Sequence, residues 1–353
     1  MPLGDFGQLS LEQNIALFLA AAAVIWLAGS RLAIYADIIA DRTGMGEAFT
    51  GLVLLAVATS LPEVGRTIAA SVAGDAVLAV NSLFGGVTLQ TTILAVADLT
   101  VTGRALTYFA PRPVLLLQGA AVVLLLSLAI TGIAAGEILR LPGAGLWTTM
   151  LVAVYLLSLY TLRQYEGRAQ WRPVQVPPQL EMERRPDSSG RRRGEGVSMA
   201  RVALLFAISS GTIFLAGVIL AEVGAALAVQ SGLGAGFVGA TLLAFASSLP
   251  ELSTTISAVR LGAYSMAVSN IFGTNAFLVA LLFLSDLFYP TGYVLEAVGR
   301  SALFAAAAGI VTTSIYLVGL IERRNRVVLG MGIDSLVVLL AYLGTLGVLY
   351  YLR

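Results

Sequence analysis

The 353-residue chain contains no cysteine and no histidine, and its 21 basic residues are all arginine. Without thiols there is no disulfide, thiolate ligand or redox pair. Without imidazole, any metal must be held by oxygen, which favours hard cations such as Na+, Ca2+ or Mg2+ over zinc or copper. Asp and Glu are then the side chains left to take up and release protons inside a membrane. Charge is scarce as well: 12% of residues are charged and 58% hydrophobic, against about 25% charged in an ordinary soluble domain. Mean hydropathy is +0.89. The chain therefore reads as an all-α integral membrane protein whose solvent is the lipid bilayer, with no nucleic-acid partner.

What is abundant is apolar sequence. Stretches able to cross a bilayer, about 20 residues each, recur almost end to end. Ten are expected, near 13–36, 47–71, 75–98, 113–134, 144–164, 200–228, 235–260, 263–287, 296–320 and 332–352. Met1 to Glu12 carries Asp5 and Glu12 and no basic residue, whereas a secretory leader opens on positive charge. No cleaved signal is expected, and the first apolar stretch is read as a transmembrane helix.

One long polar stretch interrupts this pattern. It holds Arg163, Arg168, Arg172, Arg184, Arg185, Arg191, Arg192 and Arg193 together with Pro173, Pro177, Pro178 and Pro186. The composition is that of a linker, dividing the chain into a first five-helix half (1–165), a linker (166–199) and a second five-helix half (200–353). If the linker is cytoplasmic, helix alternation puts Arg42, Arg104, Arg112, Arg260, Arg323, Arg324 and Arg326 on its side. That distribution follows the positive-inside rule and leaves both termini outside a plasma membrane.

The halves repeat one another. With a constant offset of 188 residues, positions 51–99 align without gaps to 239–287 and give about 20 identities in 49. Shared composition alone gives about 10%. The repeat motifs lie at 47–99 and 235–287, five spans apart, so they cross the membrane in opposite senses. Inverted-topology repeats of this kind are characteristic of secondary transporters, with the ion site where discontinuous helices of the two halves meet.

Each copy contains a proline and a carboxylate in an apolar context: Ala58-Thr59-Ser60-Leu61-Pro62-Glu63 and Ala246-Ser247-Ser248-Leu249-Pro250-Glu251. A helix-interior proline removes a backbone hydrogen bond and breaks or kinks the helix. An acid at the bilayer centre costs roughly 2.5–3.5 kcal/mol on insertion scales. Two such acids beside two broken helices predict a cation site. Glu63 and Glu251 would supply charge, the freed carbonyls near 58–59 and 246–247 and the hydroxyls of Thr59, Ser60, Ser247 and Ser248 neutral oxygens. The next helix of each half adds Asn81-Ser82 with Gly85, and Ser269-Asn270 with Gly273-Thr274-Asn275. Two carboxylates with several neutral oxygens suit Ca2+, which takes 6–8 oxygens. Two Na+ or two protons would neutralise the same charges, so competing ions would displace one another.

These motifs resemble the sodium/calcium exchanger membrane-region family of calcium:cation antiporters. The resemblance lies in the Thr/Ser-Ser-Leu-Pro-Glu element and, 22 residues after each Glu, the glycines Gly85 and Gly273. It implies a core of spans 2, 3, 7 and 8, with long helices 1 and 6 sliding past it. By that resemblance Glu63 and Glu251 match calcium-coordinating acids. Thr59 and Ser247 match carbonyl donors, and Ser60, Ser248 and Thr274 match sodium-site oxygens. The chain departs from the pattern at Gly86-Val87, where the family has Ser/Thr-Asn. It departs again 27 residues after each Glu, where Gln90 and Leu278 replace Asn or Asp. Arg66, three residues after Glu63 and opposite Thr254 of the second copy, either reaches for the outer interface or pairs with Glu63 as a tethered cation. Glu222 in span 6 is a lesser candidate for a proton or gating group. Asp98 and Asp286 read as helix caps or as lining of the ion entrances.

The expected function is exchange of Ca2+ for Na+ or H+ by a monomeric antiporter without a cofactor. The alternatives are an exchanger of other cations, such as Na+/H+ or Mg2+, or an uncoupled channel or sensor on the same scaffold. No nucleotide loop, nucleophile–base pair or extramembrane domain points to an enzyme.

Overall fold

The computed structural model describes residues 6–101, 104–110, 112–141, 143–166, 196–230 and 237–351. Residues 167–195 of the expected linker, and the side chains of α7 before Ala246, lie outside the described set.

The main helices are α1 (Leu11–Thr43), α2a (Glu47–Thr59), α2b (Leu61–Val72), α3 (Ala76–Asp98), α4 (Pro113–Ala135) and α5 (Leu146–Glu166) in the first half. The second half has α6 (Met199–Gln230), α7 (Phe237–Leu261), α8 (Tyr264–Phe288), α9 (Arg300–Glu322) and α10 (Ile333–Tyr351). Eight of them are long and apolar enough to cross a bilayer by themselves, and the α2a–α2b pair makes a ninth. The expected seventh span corresponds to α7, a 25-residue helix.

Local sequence explains the ends of these helices. Ser10 caps α1 by accepting from the Gln13 amide, while Gln13 accepts from the Ser10 amide at 2.9 Å, a capping box. Gly44 closes α1 at φ 67°, the left-handed conformation that glycine adopts without strain. At 33 and 32 residues, α1 and α6 would each reach roughly 50 Å, well beyond a bilayer core of about 30 Å, so they must tilt.

Burial separates inside from outside. In the most apolar window, 72% of α8 and 61% of α3 is buried, against 22% of α1. The helices of the repeat motifs are therefore central, while α1 and α6 lie along one another and against α7 and α2. Where α2a crosses α8, the backbones touch. A Cβ on Gly51 would lie 2.6 Å from the Met266 carbonyl oxygen, and one on Gly273 would lie 2.7 Å from the Leu52 Cα. Small residues permit this approach between helices.

Two features differ from the expectation. Two-strand hairpins precede the last helix of each half: β1 (Arg140–Leu141) with β2 (Ala144–Gly145), and β3 (Val327–Val328) with β4 (Met331–Gly332). They are related by 187 residues and were invisible as strands because each is two residues long. The second difference is a correction: only one of the two proline-containing helices is broken. α2a and α2b meet at a 49° bend, whereas Pro250 sits inside the continuous helix α7.

Candidate cation site

The break in α2 is built by two local devices. Gly51–Leu55 is wound as a π-helix, and the Ala56 amide bonds back to the Gly51 carbonyl; such bulges bend helices. Ser60, at φ −86° and ψ 5°, then leaves helical geometry and Pro62 enters α2b in its first turn, where a missing amide hydrogen is harmless. Glu63 consequently lies in the first turn of α2b, where the unpaired amides of a helix N-terminus favour negative charge. Glu251, by contrast, follows Pro250 along an unbroken helix.

Both carboxylates are inside the protein: Glu63 is 2% exposed and Glu251 0%. Neither oxygen of Glu251 nor Oε2 of Glu63 has a hydrogen-bond partner. Glu63, Arg66 and Thr59 are the electrostatic neighbours of Glu251, so the two halves bring their acids together. Among the described residues no group of three or more carboxylates forms, and any further ligands must be neutral oxygens.

Such oxygens are present. Gln90 Oε1, Asn270 Oδ1, Thr274 Oγ1 and Asn275 Oδ1 are buried without partners. Buried acceptors in folded proteins are normally paired; these unpaired oxygens lie on α3 and α8, which pack against the helices carrying the two acids, and neutral oxygens with carboxylates are what a hard cation takes. The amide nitrogens fix the orientation of these groups. Asn270 Nδ2 donates to Thr254 Oγ1 at 3.1 Å and Thr255 Oγ1 at 3.2 Å, and Thr254 Oγ1 donates to the Pro250 carbonyl at 2.8 Å. Asn275 Nδ2 donates to Thr91 Oγ1 at 3.0 Å across the repeat interface. Thr91 and Thr255 in these roles were not singled out from the sequence. Thr255 repeats Thr67 of the first half, while the signal at Thr91 was a hydroxyl in an apolar helix.

The motif hydroxyls donate to carbonyls of the preceding turn, and Thr59 also lies within hydrogen-bonding reach of Glu251. Thr59 Oγ1 donates to the Leu55 carbonyl at 3.0 Å and Ser60 Oγ to the Ala56 carbonyl at 2.7 Å, leaving lone pairs to face a cation. Ser248 is buried and Ser247 half-buried. Asn81 and Ser82 each donate to a neighbour of their own, and Asn81 Oδ1 is left buried without a partner. Asn81 Nδ2 donates to Ser301 Oγ of α9 at 3.1 Å, and Ser82 Oγ to the Ala79 carbonyl at 2.9 Å. Ser269 bonds to the Ala48 carbonyl and, at 2.7 Å, to Gln118 Oε1, which tethers α8 to α2a and α4.

The departures also have structural counterparts. Leu278 is buried, and a side chain at Gly86 would begin 3.0 Å from its Cδ1. The leucine methyl therefore occupies room that a hydroxyl-bearing residue at 86 would need. Arg66 is half-buried with Nε unpartnered, and it is an electrostatic neighbour of both Glu63 and Glu251. No ion pair holds it among the described residues. Glu222 lies half-buried on α6.

Two segments, residues 13–162 and 201–350, each match the sodium/calcium exchanger protein family. The chain belongs to this family. Its apolar helices make it a multi-pass membrane protein. A curated relative, the sodium/calcium exchanger MaX1 of Methanosarcina acetivorans, is 36% identical over 118 residues, covering 33% of this chain and 31% of MaX1. CaxA of Alkalimonas amylolytica, named as an antiporter, is 30% identical over 110 residues, covering 30% of this chain and 32% of CaxA. The matched stretch thus spans about a third of each curated relative.

Among solved structures, the sodium-calcium exchanger NCX_Mj soaked with 100 mM Na+ and 10 mM Sr2+ has a TM-score of 0.71 to this chain. The match covers 96% of this chain and 99% of that one at 14% identity. The same protein soaked with 10 mM Na+ and no Ca2+ gives 0.69. This exchanger-family fold therefore extends over nearly the whole chain.

Proposed function

We propose that this exchanger-family chain is a secondary antiporter that moves Ca2+ against Na+ or H+ by alternating access. One cation at a time occupies a two-glutamate site near the bilayer midplane. The observation that carries this reading is Glu251, fully buried with both carboxylate oxygens unpartnered and Glu63 as its neighbour. Two close carboxylates in low dielectric repel strongly unless a cation or protons neutralise them, which ties release of one ion to entry of another. The unpaired oxygens of Gln90, Asn270, Thr274 and Asn275 would complete the shell. The arginine distribution supports a plasma-membrane protein with both termini outside and the 166–199 linker, between halves 1–165 and 200–353, in the cytoplasm.

A specific observation favours an altered coupling ion. With Leu278 buried at a position where the family pattern has a polar residue, and Arg66 beside both acids, fewer monovalent ions are needed to balance the empty site. Isotope flux in proteoliposomes under imposed Na+, K+ and pH gradients tests the reading. Glu63→Gln and Glu251→Gln should each abolish counter-ion-driven Ca2+ uptake. Full exchange in both variants would remove the two-glutamate site, and Ca2+ uptake that needs no counter-ion would make the chain a channel.

A further inference from the structure

Asp98 and Asp286, equivalent in the repeat, do the same structural work. Asp286 accepts from the Val294 amide at 2.7 Å, the Gly145 amide at 2.6 Å and the Thr148 hydroxyl at 2.7 Å. Asp98 accepts from the Leu106 amide at 2.5 Å and the Gly332 amide at 2.7 Å, with Ser335 beside it in the place of Thr148. Each acid fastens a hairpin to the end of a central helix. What the fold requires at this position is therefore visible twice.

The second half carries more than that requirement. At the positions of Trp147 and Ala129 in the first half stand Asp334 and Tyr316. Trp147 packs on Gly132 and donates Nε1 to the Gly136 carbonyl at 2.8 Å. Asp334 packs in the same way on Gly319 of α9, yet its Oδ2 is buried without a partner. Tyr316, one turn earlier on α9, is fully buried with an unpartnered hydroxyl, and its charged neighbours are Asp334 and Asp98. A Cβ built on Gly332 would touch Asp334 Oδ1 and lie 3.2 Å from Asp98 Oδ2. The two carboxylates thus both approach the Gly332 Cα, and each is an electrostatic neighbour of the Tyr316 hydroxyl.

We infer that Asp98, Asp334 and the Tyr316 hydroxyl form a second cation-binding site, distinct from the Glu63–Glu251 pair, for one divalent cation of the Ca2+ class. The donors are all oxygen, which selects a hard cation, and two neighbouring carboxylates supply the charge that a divalent ion balances. Each Asp98 oxygen accepts one amide and keeps a further lone pair for a metal. Asp334 is half-exposed, which provides an entry path and room for water to complete the shell. The nearby arginines are engaged with Tyr108: Arg323 donates to its carbonyl at 3.2 Å, and the Arg104 guanidinium lies 4.8 Å from its ring centre. Neither Asp98 nor Asp334 has an ion-pair partner among the described residues. The site lies at the end of the bundle where Arg104, Arg112, Arg323, Arg324 and Arg326 gather, so it would sample Ca2+ on the linker side only.

The test uses the detergent-purified full chain carrying Glu63→Gln and Glu251→Gln together, so its outcome is independent of the transport site. Equilibrium binding of radiolabelled Ca2+ in sodium-free buffer should show saturable uptake by this double variant. Adding Asp334→Asn should weaken it at least about tenfold, and Tyr316→Phe severalfold, where tenfold corresponds to about 1.4 kcal/mol. Thermal unfolding of each variant reports whether it is folded; Tyr316→Phe preserves shape and decides the matter if Asp334→Asn does not fold. Absence of saturable Ca2+ binding in the folded double variant, as two acids sharing a proton would give, overturns the site. So does binding that Asp334→Asn and Tyr316→Phe leave unchanged.

Discussion

Gly217 of α6 lies against Pro62: a methyl group at Gly217 would sit 2.7 Å from the proline Cγ. Its repeat equivalent, Gly29 of α1, lies against the equivalent turn of α7. There a Cβ would run into Ser253 Oγ and lie 3.5 Å from the Pro250 carbonyl. Both long outer helices therefore present a glycine to the proline turn beside a candidate site acid. Gly217→Ala should reduce Ca2+ flux at least about tenfold at a stability loss of about 1–3 kcal/mol, as overpacking does. Gly211→Ala, where nothing lies within 4 Å, is the control and should leave flux unchanged. Flux and unfolding temperature of the two variants decide it; equal flux in both would show that the contact does not govern movement.

Leu278 and Gly86 should behave as a coupled pair, because the leucine fills the space at 86. Gly86→Ser alone forces Leu278 aside, and Leu278→Asn alone buries an amide without a partner. Each should destabilise by about 1–3 kcal/mol. The double substitution should recover about 1 kcal/mol or more relative to the sum, as contacting sites do. A double-mutant cycle on detergent-solubilised protein measures this; strict additivity would separate the two positions.

Arg66→Thr makes the first repeat match the second at Thr254. Removing a positive charge next to Glu63 and Glu251 should tighten apparent Ca2+ affinity by about tenfold, or about 1.4 kcal/mol, and raise the number of monovalent ions exchanged per Ca2+. Reversal potentials and Ca2+ concentration dependence in proteoliposomes report both. Unchanged values would leave Arg66 as a side chain directed to the interface.

Asp286→Asn should cost about 2–4 kcal/mol, since the buried acid accepts from two amides and a hydroxyl and bonds to a charged acceptor contribute about 1.5–3 kcal/mol each before partial replacement by the amide. The unfolding temperature should fall while Ca2+ affinity of the folded fraction is retained. A normal unfolding temperature would mean that the hairpin is held by its turn alone.

The architecture was largely legible before any coordinates. Ten apolar stretches, the 188-residue repeat and the two proline–glutamate motifs are strong signals because each is improbable in lipid without a reason. What escaped was conformational rather than compositional. Pro62 and Pro250 sit in near-identical sequence, and nothing local distinguishes the bent α2 from the continuous α7. The difference arises where Gly51–Leu55 winds as a π-helix against α8, a tertiary effect. The roles of Asp98 and Asp286 were also only half visible. Their symmetry could be read, but their partners, the amides of hairpins 141 residues away in one case and 234 in the other, could not. Thr91 was missed because a lone threonine satisfied by the preceding turn is ordinary in a membrane helix.

One consequence follows from that unequal pair of proline helices. Two copies of one sequence motif adopt two shapes in the same molecule, a break after Thr59 and an uninterrupted helix through Pro250. The motif itself therefore permits both shapes, and the packing around each copy selects one. Trading them between the repeats, kink to α7 and straightness to α2, describes an opposite-facing conformer of the same polypeptide, with its aperture on the other face of the bilayer. A distance measured by spin labels across α2b and α6 should then shorten as the matching distance across α7 and α1 lengthens.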